Sequence, residues 1–438
     1  MTDNAKLTRI LVIIVMFGVV ASFISHFVWY PKAGTAEVTC NTLIRGADRL
    51  TDAAVKKSSE EEWTRDRLMS DVKDAASNLS AAIEIPFDSN KTHISRGIAI
   101  YFPASGAQQE KELKGLLLSI AHVRTLQPPS IKTDLIVFTP PKGYKFAKSI
   151  GCTEDKRTSF DDPERCVIVE HIPLYQRVGV KDPLVGYKRF LDSVLMVAEY
   201  RDYNTYDYLM KTDMDTFVAP AFADWRLPKG KIIATGKGEY GNPTADVRLS
   251  YIMKTTFHMR DGGHKNIGTT WYGSPAVLVA ASQLSVASMR WLDRMEFTEY
   301  QRVRSADAGY YWYWPVLTMY GGQIAINQIP PDKVQFDEIK VMEMDAKTNA
   351  VGEFRPSVRH LHCWYVKDLF SKTAFAKGTY DKLDLNEHDH MRTAPAYSAV
   401  IALSAVRMST EEFKLITTDP ERMRKFEWKR LVPSAKSN

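Results

Sequence analysis

The chain of 438 residues has little cysteine, little excess charge and almost no long hydrophobic run. Its four cysteines form no CxxC pair and no cysteine–histidine cluster with zinc spacing, which argues against a structural zinc site. The 58 basic residues nearly balance the 52 acidic ones, and a net charge of +6 without basic clusters argues against nucleic acid as a partner. No internal repeat is present. The composition is that of a globular chain and excludes a multi-span membrane protein.

One long apolar run does occur, from Ile10 to Trp29. It contains 20 residues without Asp, Glu, Lys or Arg. As a helix it would span about 30 Å, the thickness of the hydrocarbon core of a bilayer. It exceeds the ~15 residues of a signal-peptide core, so we predict an uncleaved transmembrane signal anchor over residues 10–30. Lys6 and Arg9 precede it, which predicts a cytosolic tail, residues 1–9, and a single-pass type II topology.

Three further features bear on a lumenal location. The triplets that begin at Asn78 and Asn90 fit the pattern for N-glycosylation, so a glycoprotein is expected. An oxidising lumen would permit a bridge between Cys152 and Cys166, and buried free thiols are the alternative. Small residues at 34–36 resemble a cleavage site, so a cleaved signal peptide stays open as the alternative to the anchor.

Residues 31–94 are charged and weakly periodic, which is typical of a stem with one or two amphipathic helices. This stem is also the candidate surface for a homodimer. The alternative is that the segment belongs to the globular domain, because Trp63, Leu68, Met69 and Val72 would line a buried helical face.

From residue 95 to 395 short apolar runs alternate with helical patterns, which predicts an α/β domain built on a mostly parallel open sheet flanked by helices. The predicted strands are residues 97–102, 134–138, 166–169, 206–211, 231–234 and 269–272. The predicted helices are residues 113–123, 187–199 and 276–292. Residues 396–438 are predicted to form a helical and basic tail.

The most informative stretch is the end of the fourth predicted strand. The strand runs directly into Asp213 and Asp215, and the two-residue period of an extended chain places both carboxylates on one side. Ligands of open α/β sheets bind at the carboxyl ends of the strands. Two oxygen ligands on a short turn suit Mg²⁺ or Mn²⁺, so we predict a metal site here. An ordinary exposed turn is the alternative.

The segment Leu209 to Val218, LMKTDMDTFV, resembles the strand and Asp-x-Asp turn of glycosyltransferases with the GT-A fold, and is similar to the KTDDDVFV type of lumenal β-1,3-galactosyltransferase-like enzymes. The resemblance implies a nucleotide-diphosphate-sugar donor whose phosphates are bridged by Mn²⁺ or Mg²⁺. The resemblance implies that Asp215 binds the metal directly and that Asp213 contacts the ribose or the metal. It also implies that Lys211 contacts the nucleotide-sugar donor. Met214 departs from the pattern and leaves the donor open.

The resemblance also implies a third metal ligand from a histidine late in the domain. The segment that contains His360, His362 and Lys367 offers two such histidines and a lysine for phosphate. We favour His362 as the ligand. A hydrogen-bonded core or surface histidine is the alternative.

Donor and sugar contacts are implied at two further places. Lys188 and Arg189, on the helix predicted before the acidic strand, are candidates for the donor diphosphate, with ordinary solvated side chains as the alternative. The glycine-aromatic segment with Trp271, Tyr272 and Gly273 stands where such enzymes carry residues under the transferred sugar. An aromatic pair within the core is the alternative there.

For an inverting enzyme the candidate catalytic base is Asp307, which would deprotonate the acceptor hydroxyl. Its position before an aromatic segment is where the resemblance places a late acid. Asp261, Glu296 and Glu299 are rival candidates.

The leading hypothesis is a metal-dependent, hexosyltransferase-like glycosyltransferase of the Golgi or ER membrane that acts on a glycan or glycoconjugate acceptor. One alternative is a phosphatase of the haloacid-dehalogenase type, which also has a strand followed by Asp-x-Asp. That family normally has the motif on its first strand, whereas an extended α/β pattern precedes Asp213 here. A non-catalytic GT-A-like lumenal scaffold is the other alternative.

Overall fold

Strands and helices alternate along most of the chain. The structure is a computed structural model that describes residues 63–188, 190–238, 240, 242–303, 312–337, 346–347, 357–363, 370–383 and 393–426. Its strands are β1 (Ile94–Tyr101), β2 (Ile131–Thr139), β3 (Cys166–Glu170), β4 (Tyr208–Lys211), β5 (Thr216–Val218), β6 (Ile233–Lys237), β7 (Ile267–Gly273), β8 (Val334–Asp337), β9 (Ala346–Lys347) and β10 (His360–His362). Its helices are α1 (Arg65–Ile83), α2 (Ala107–Leu126), α3 (Pro141–Ser149), α4 (Asp192–Ala198), α5 (Pro243–Tyr251), α6 (Pro275–Met295), α7 (Glu299–Val303), α8 (Leu317–Gln328), α9 (Lys372–Ala376), α10 (Ala394–Arg407), α11 (Thr410–Thr418) and α12 (Pro420–Arg424).

The main sheet has seven strands in the order β3-β2-β1-β4-β7-β6-β8. Its pairs are parallel except for the two made by β7, which is antiparallel to both β4 and β6. A second, small sheet joins β5, β10 and β9. The prediction of a mixed α/β fold with a mostly parallel sheet flanked by helices is therefore confirmed.

The central strands are buried on both faces, which explains their nearly continuous apolar sequence. In β1, Ile98 and Ile100 belong to one core cluster and Ala99 belongs to the other. Gly97 is required by a close approach, because a Cβ atom there would lie 2.8 Å from the side chain of Ile136.

Helices cover the two faces of the sheet. On one face α2 and α10 pack together and bury Leu116 and Ile401 in the first core cluster. On the other face α6 packs against α4 and α8 and buries Leu278 and Leu284 in the second. The result is a layer of helices on each side of the sheet, which leaves the strand ends as the accessible edges.

Helix α1 lies within the segment predicted to be a stem. It packs lengthwise on α6 and buries Leu68 and Val72 completely, while Met69 and Trp63 pack at the margin of the same cluster. These residues form the buried helical face that is expected if the segment belongs to the globular domain. The boundary at residue 94 and homodimerisation through this segment stay predictions.

The helix predicted over residues 187–199 is shorter in the structure. Only Asp192–Ala198 is helical, and Phe190 has a left-handed backbone with φ of 50°. A bulky residue in that conformation cannot continue a right-handed helix from the preceding residues. Lys188 therefore lies in a loop and not on a helix, which corrects the prediction, and Arg189 lies outside the described residues.

Two other sequence features have a place in this fold. Cys152 and Cys166 form a disulfide, so the bridge that the sequence left open is present and ties the loop after α3 to the start of β3. Asn78 is exposed on α1 and Asn90 is exposed in the turn before β1.

No helix in the described ranges, which start at residue 63, is long and apolar enough to cross a membrane. The predicted anchor, residues 10–30, lies outside these ranges.

Candidate metal centre

The acidic turn joins β4, in the middle of the main sheet, to β5 in the small sheet. The amide of Thr212 donates to the carbonyl of Ala99 at 3.1 Å and so extends the β4–β1 ladder by one residue. The hydroxyl of Thr216 donates to the carbonyl of Asp213 at 2.7 Å and closes the turn. Asp213 and Asp215 thus lie at the carboxyl end of a parallel strand, the edge at which open α/β sheets bind ligands.

Strand β10 brings a histidine to this turn across more than 140 residues of sequence. It pairs antiparallel with β5 in a register that places His362 opposite Thr216. The next amide, that of Cys363, donates to the carbonyl of Asp215 at 3.1 Å. Backbone hydrogen bonds therefore fix the position of His362 relative to the acids.

Asp213, Asp215 and His362 each offer one ligand atom, and these atoms lie within 4.8 Å of one another. The Nε2 atom of His362 is 3.6 Å from Oδ1 of Asp215 and 4.0 Å from Oδ2 of Asp213. All three side chains are largely buried, and each keeps between 12% and 16% of its surface exposed. The sequence-predicted metal ligands are thus brought together.

This group fits a divalent cation. Two ligands of an octahedral ion at ~2.1 Å lie ~3.0 Å apart when adjacent and ~4.2 Å apart when opposite. The two measured separations from His362, 3.6 and 4.0 Å, fall between these values. Two carboxylates and one imidazole are a ligand set that Mn²⁺ and Mg²⁺ accept.

The electrostatics of the turn favour the ionised form of Asp215. Burial alone would raise the pKa of Asp215, but the charges and hydrogen bonds of His362 and Lys372 hold it well below its usual range. Lys372, the first residue of α9, donates from Nζ to Oδ2 of Asp215. On α2, burial raises the pKa of Glu112 to about 7, and the negative charge of Asp215 adds to this effect.

Lys372 and Glu112 were not predicted from the sequence. Nothing in the local pattern of either segment marks them, because a lysine or glutamate on a helix is ordinarily solvated. Only the docking of α9 and α2 against the acidic turn buries them beside Asp215.

His360 has a different environment from that of His362. It is fully buried, and its Nε2 shares a 2.9 Å hydrogen bond with the hydroxyl of Thr212. The same hydroxyl is 2.9 Å from that of Thr270 on β7. This network supports the base of the acidic turn, so the hydrogen-bonded alternative describes His360.

Lys211 is buried beneath the turn. Its Nζ donates to the carbonyl of Thr269 at 2.6 Å and lies 4.9 Å from the centre of the Trp271 ring. Tyr272 stacks between Tyr208, at 5.1 Å, and Trp225, at 4.6 Å. Trp271 and Tyr272, the two aromatic residues of β7, are at most 2% exposed. They therefore belong to the core, as in the alternative interpretation of this segment.

Gly273 closes β7 against β6. A Cβ atom there would lie 2.2 Å from the carbonyl oxygen of Ile232, so the close pairing of these strands accounts for the glycine. Lys188 is exposed, with its Nζ 5.6 Å from the centre of the Tyr175 ring.

Two of the rival candidate bases have partners of their own in the described structure. Asp261 accepts from the hydroxyl of Ser250, and Glu296 pairs with Arg248. Glu299 begins the short helix α7. Asp307 and Lys367 lie outside the described residues, so their roles stay predictions.

The chain belongs to a family described as a domain of unknown function, DUF7164, whose family model matches residues 90–429. No curated protein matches the chain. Among solved structures, mouse xyloside xylosyltransferase 1 in its apo form is similar with 13% identity and a TM-score of 0.30, over 57% of this chain and 87% of that one. An apo structure of the bifunctional glycosyltransferase WbbM matches with 9% identity and a TM-score of 0.36, over 73% of this chain and 51% of that one.

Proposed function

We propose that this protein is a metal-dependent glycosyltransferase that transfers a sugar from a nucleotide-diphosphate donor to a glycan or glycoconjugate acceptor. The observation that carries the proposal is the convergence of Asp213, Asp215 and His362 at the carboxyl edge of the sheet, with ligand atoms within 4.8 Å. This convergence adds a structural argument to the resemblance of the LMKTDMDTFV segment to the Asp-x-Asp turn of GT-A enzymes.

In this proposal the three side chains would hold Mn²⁺ or Mg²⁺. The bound cation would supply a counter-charge for the negative charge that builds on the departing nucleotide diphosphate. The chain itself contributes preorganisation, since β5–β10 pairing and the Thr212–His360 contact fix the ligands before substrate binds. Asp307 is proposed as the base that takes the proton of the acceptor hydroxyl.

We also propose that the anchor at residues 10–30 places the domain in the lumen of the Golgi or ER. The glycosylation triplets at Asn78 and Asn90 support this location, because both asparagines are exposed. The disulfide between Cys152 and Cys166 supports it as well, since disulfides persist in oxidising compartments.

The experiment is a screen of nucleotide sugars for hydrolysis and transfer, with Mn²⁺, with Mg²⁺ and with chelator. We expect turnover of at least one donor that needs a divalent cation and is lost in Asp215→Asn. The matched control is Asp207→Asn, at the opposite end of the same strand, which should retain turnover.

Full turnover in Asp215→Asn would contradict the site assignment. An aspartyl-phosphate trapped on Asp213 would instead establish the phosphatase chemistry. Folded protein without metal-dependent affinity for any nucleotide would indicate a non-catalytic scaffold.

A further inference from the structure

Lys372 is held against one of the proposed metal ligands. Its side chain is 11% exposed, and its Nζ donates to Oδ2 of Asp215, while Oδ1 of the same carboxylate lies 3.6 Å from Nε2 of His362. Ser371 caps the helix that begins at Lys372, because its hydroxyl accepts from the amide of Ala374 at 3.3 Å. One carboxylate is therefore shared between the ligand group and a fixed ammonium.

The surroundings of Lys372 strengthen the effect of its charge. The hollow that it lines is mostly apolar, with contributions from Met214, Phe217, Phe370 and Phe375. Charges interact more strongly where little water screens them. The carboxyl group of Glu112 also interacts electrostatically with Lys372.

The charge balance of the centre depends on what binds. Two carboxylates carry a charge of about −2, which a divalent cation alone would neutralise. The Lys372 ammonium occupies Oδ2 of Asp215, so a cation has to compete with it for that carboxylate in a poorly screened site. A nucleoside diphosphate carries at least two negative charges and would attract both the cation and the ammonium.

We propose that Lys372 couples the binding of the divalent cation to the binding of the nucleoside diphosphate. The ammonium competes with the cation for the Asp215 carboxylate, and a bound diphosphate draws the ammonium away from that carboxylate and so restores the affinity for the cation. Coupling of this kind is reciprocal, so the cation must raise the affinity for the diphosphate by the same factor. The inference rests on the proposed function, because it takes the site to bind a divalent cation and a nucleoside diphosphate together.

The test measures Mn²⁺ binding by the full chain without nucleotide, from the electron paramagnetic resonance signal of free Mn²⁺. We expect Lys372→Met to bind Mn²⁺ at least about tenfold more tightly than the unmodified protein. Lys372→Gln provides a second neutral variant should the first fail to fold. Lys372→Arg keeps the charge and should behave like the unmodified protein.

The matched control is Lys111→Met. Lys111 lines the same hollow, with its Nζ 5.7 Å from the centre of the Phe375 ring, but it makes no ion pair with Asp215 among the contacts of the described residues. Its removal should leave the Mn²⁺ affinity unchanged.

A second measurement is equilibrium dialysis of UDP and of GDP with and without saturating Mn²⁺. The unmodified protein should bind at least one of them about tenfold more tightly with Mn²⁺, and this ratio should be smaller in Lys372→Met. Equal Mn²⁺ affinity in the unmodified protein and both neutral variants would overturn the coupling while leaving the proposed function intact. Absence of Mn²⁺ binding in the unmodified protein and in every variant would overturn both the coupling and the proposed function.

Discussion

Strand β4 has acidic residues at both ends, and the two ends hold them differently. At the amino end Asp207 accepts hydrogen bonds from the amide and hydroxyl of Ser95, at 2.8 and 2.9 Å, and from Lys91 at 2.5 Å. At the carboxyl end Asp213 and Asp215 instead converge on one imidazole at 4.0 and 3.6 Å. Serine and lysine donors hold Asp207, whereas Asp213 and Asp215 share one imidazole, and Lys372 holds the second oxygen of Asp215.

The amino edge of β2, which lies on the far side of β1 from β4, extends the contrast. Asp134 is fully buried, and both its oxygens accept from Arg157 at 2.8 Å, with a third bond from the amide of Arg165 at 2.9 Å. Such saturated carboxylates stabilise the fold. The comparison teaches that the acids of the two edges differ in their partners: an arginine and a backbone amide saturate Asp134, whereas Asp213 and Asp215 converge on one imidazole.

The largest effect is expected at the amino edge. Arg157→Leu should lower the free energy of unfolding by about 3–5 kcal/mol, because it leaves the buried Asp134 carboxylate uncompensated. Urea unfolding monitored by circular dichroism measures this change. The folded fraction should bind Mn²⁺ normally, and a loss of Mn²⁺ affinity in folded protein would break the distinction between the two edges.

A smaller effect separates the two ends of β4 itself. Saturating Mn²⁺, at about a hundred times its dissociation constant, should stabilise the protein by about 2.7 kcal/mol. Asp215→Asn should abolish this increment, because it removes a ligand, whereas Asp207→Asn should retain it. Thermal unfolding of each variant with and without Mn²⁺ gives the increments. Equal increments in the two variants would contradict the assignment of the metal to the carboxyl end.

The smallest effect concerns an exposed pair. Lys91→Ala removes one partner of Asp207, and the lysine side chain is 55% exposed. We expect a loss of less than about 1 kcal/mol in the free energy of unfolding, and a still smaller loss in high salt. A loss of several kcal/mol in the free energy of unfolding would contradict this expectation, because it would mean that the Lys91–Asp207 ion pair is essential to the stability of the fold.

Local sequence was sufficient to predict the acidic turn. A buried strand followed by two acids at a two-residue spacing specifies both position and side, so Asp213 and Asp215 could be predicted from the chain alone. His362 required the family resemblance, because its approach depends on pairing between β5 and β10 across distant parts of the sequence.

Tertiary packing decided the rest. Lys372 and Glu112 could be identified only from the structure, because the packing of α9 and α2 against the turn places them near Asp215. The aromatic pair on β7 could be interpreted as a sugar platform or as core, and the burial of both side chains resolved it. The helix before β4 was predicted too long because the backbone conformation of Phe190 leaves no mark in the sequence.

The pairing of β5 with β10 has a consequence for biosynthesis. The acids are synthesised well before His362, Lys372 and Tyr397, whose hydroxyl donates to the carbonyl of Val218 at 2.7 Å and secures β5. Domains form from the amino end as the ribosome proceeds, so the main sheet can assemble while the centre still lacks these groups. A nascent or prematurely terminated chain would therefore hold the acidic turn without a competent centre, and activity would begin only after the last quarter of the chain has been translated and docked.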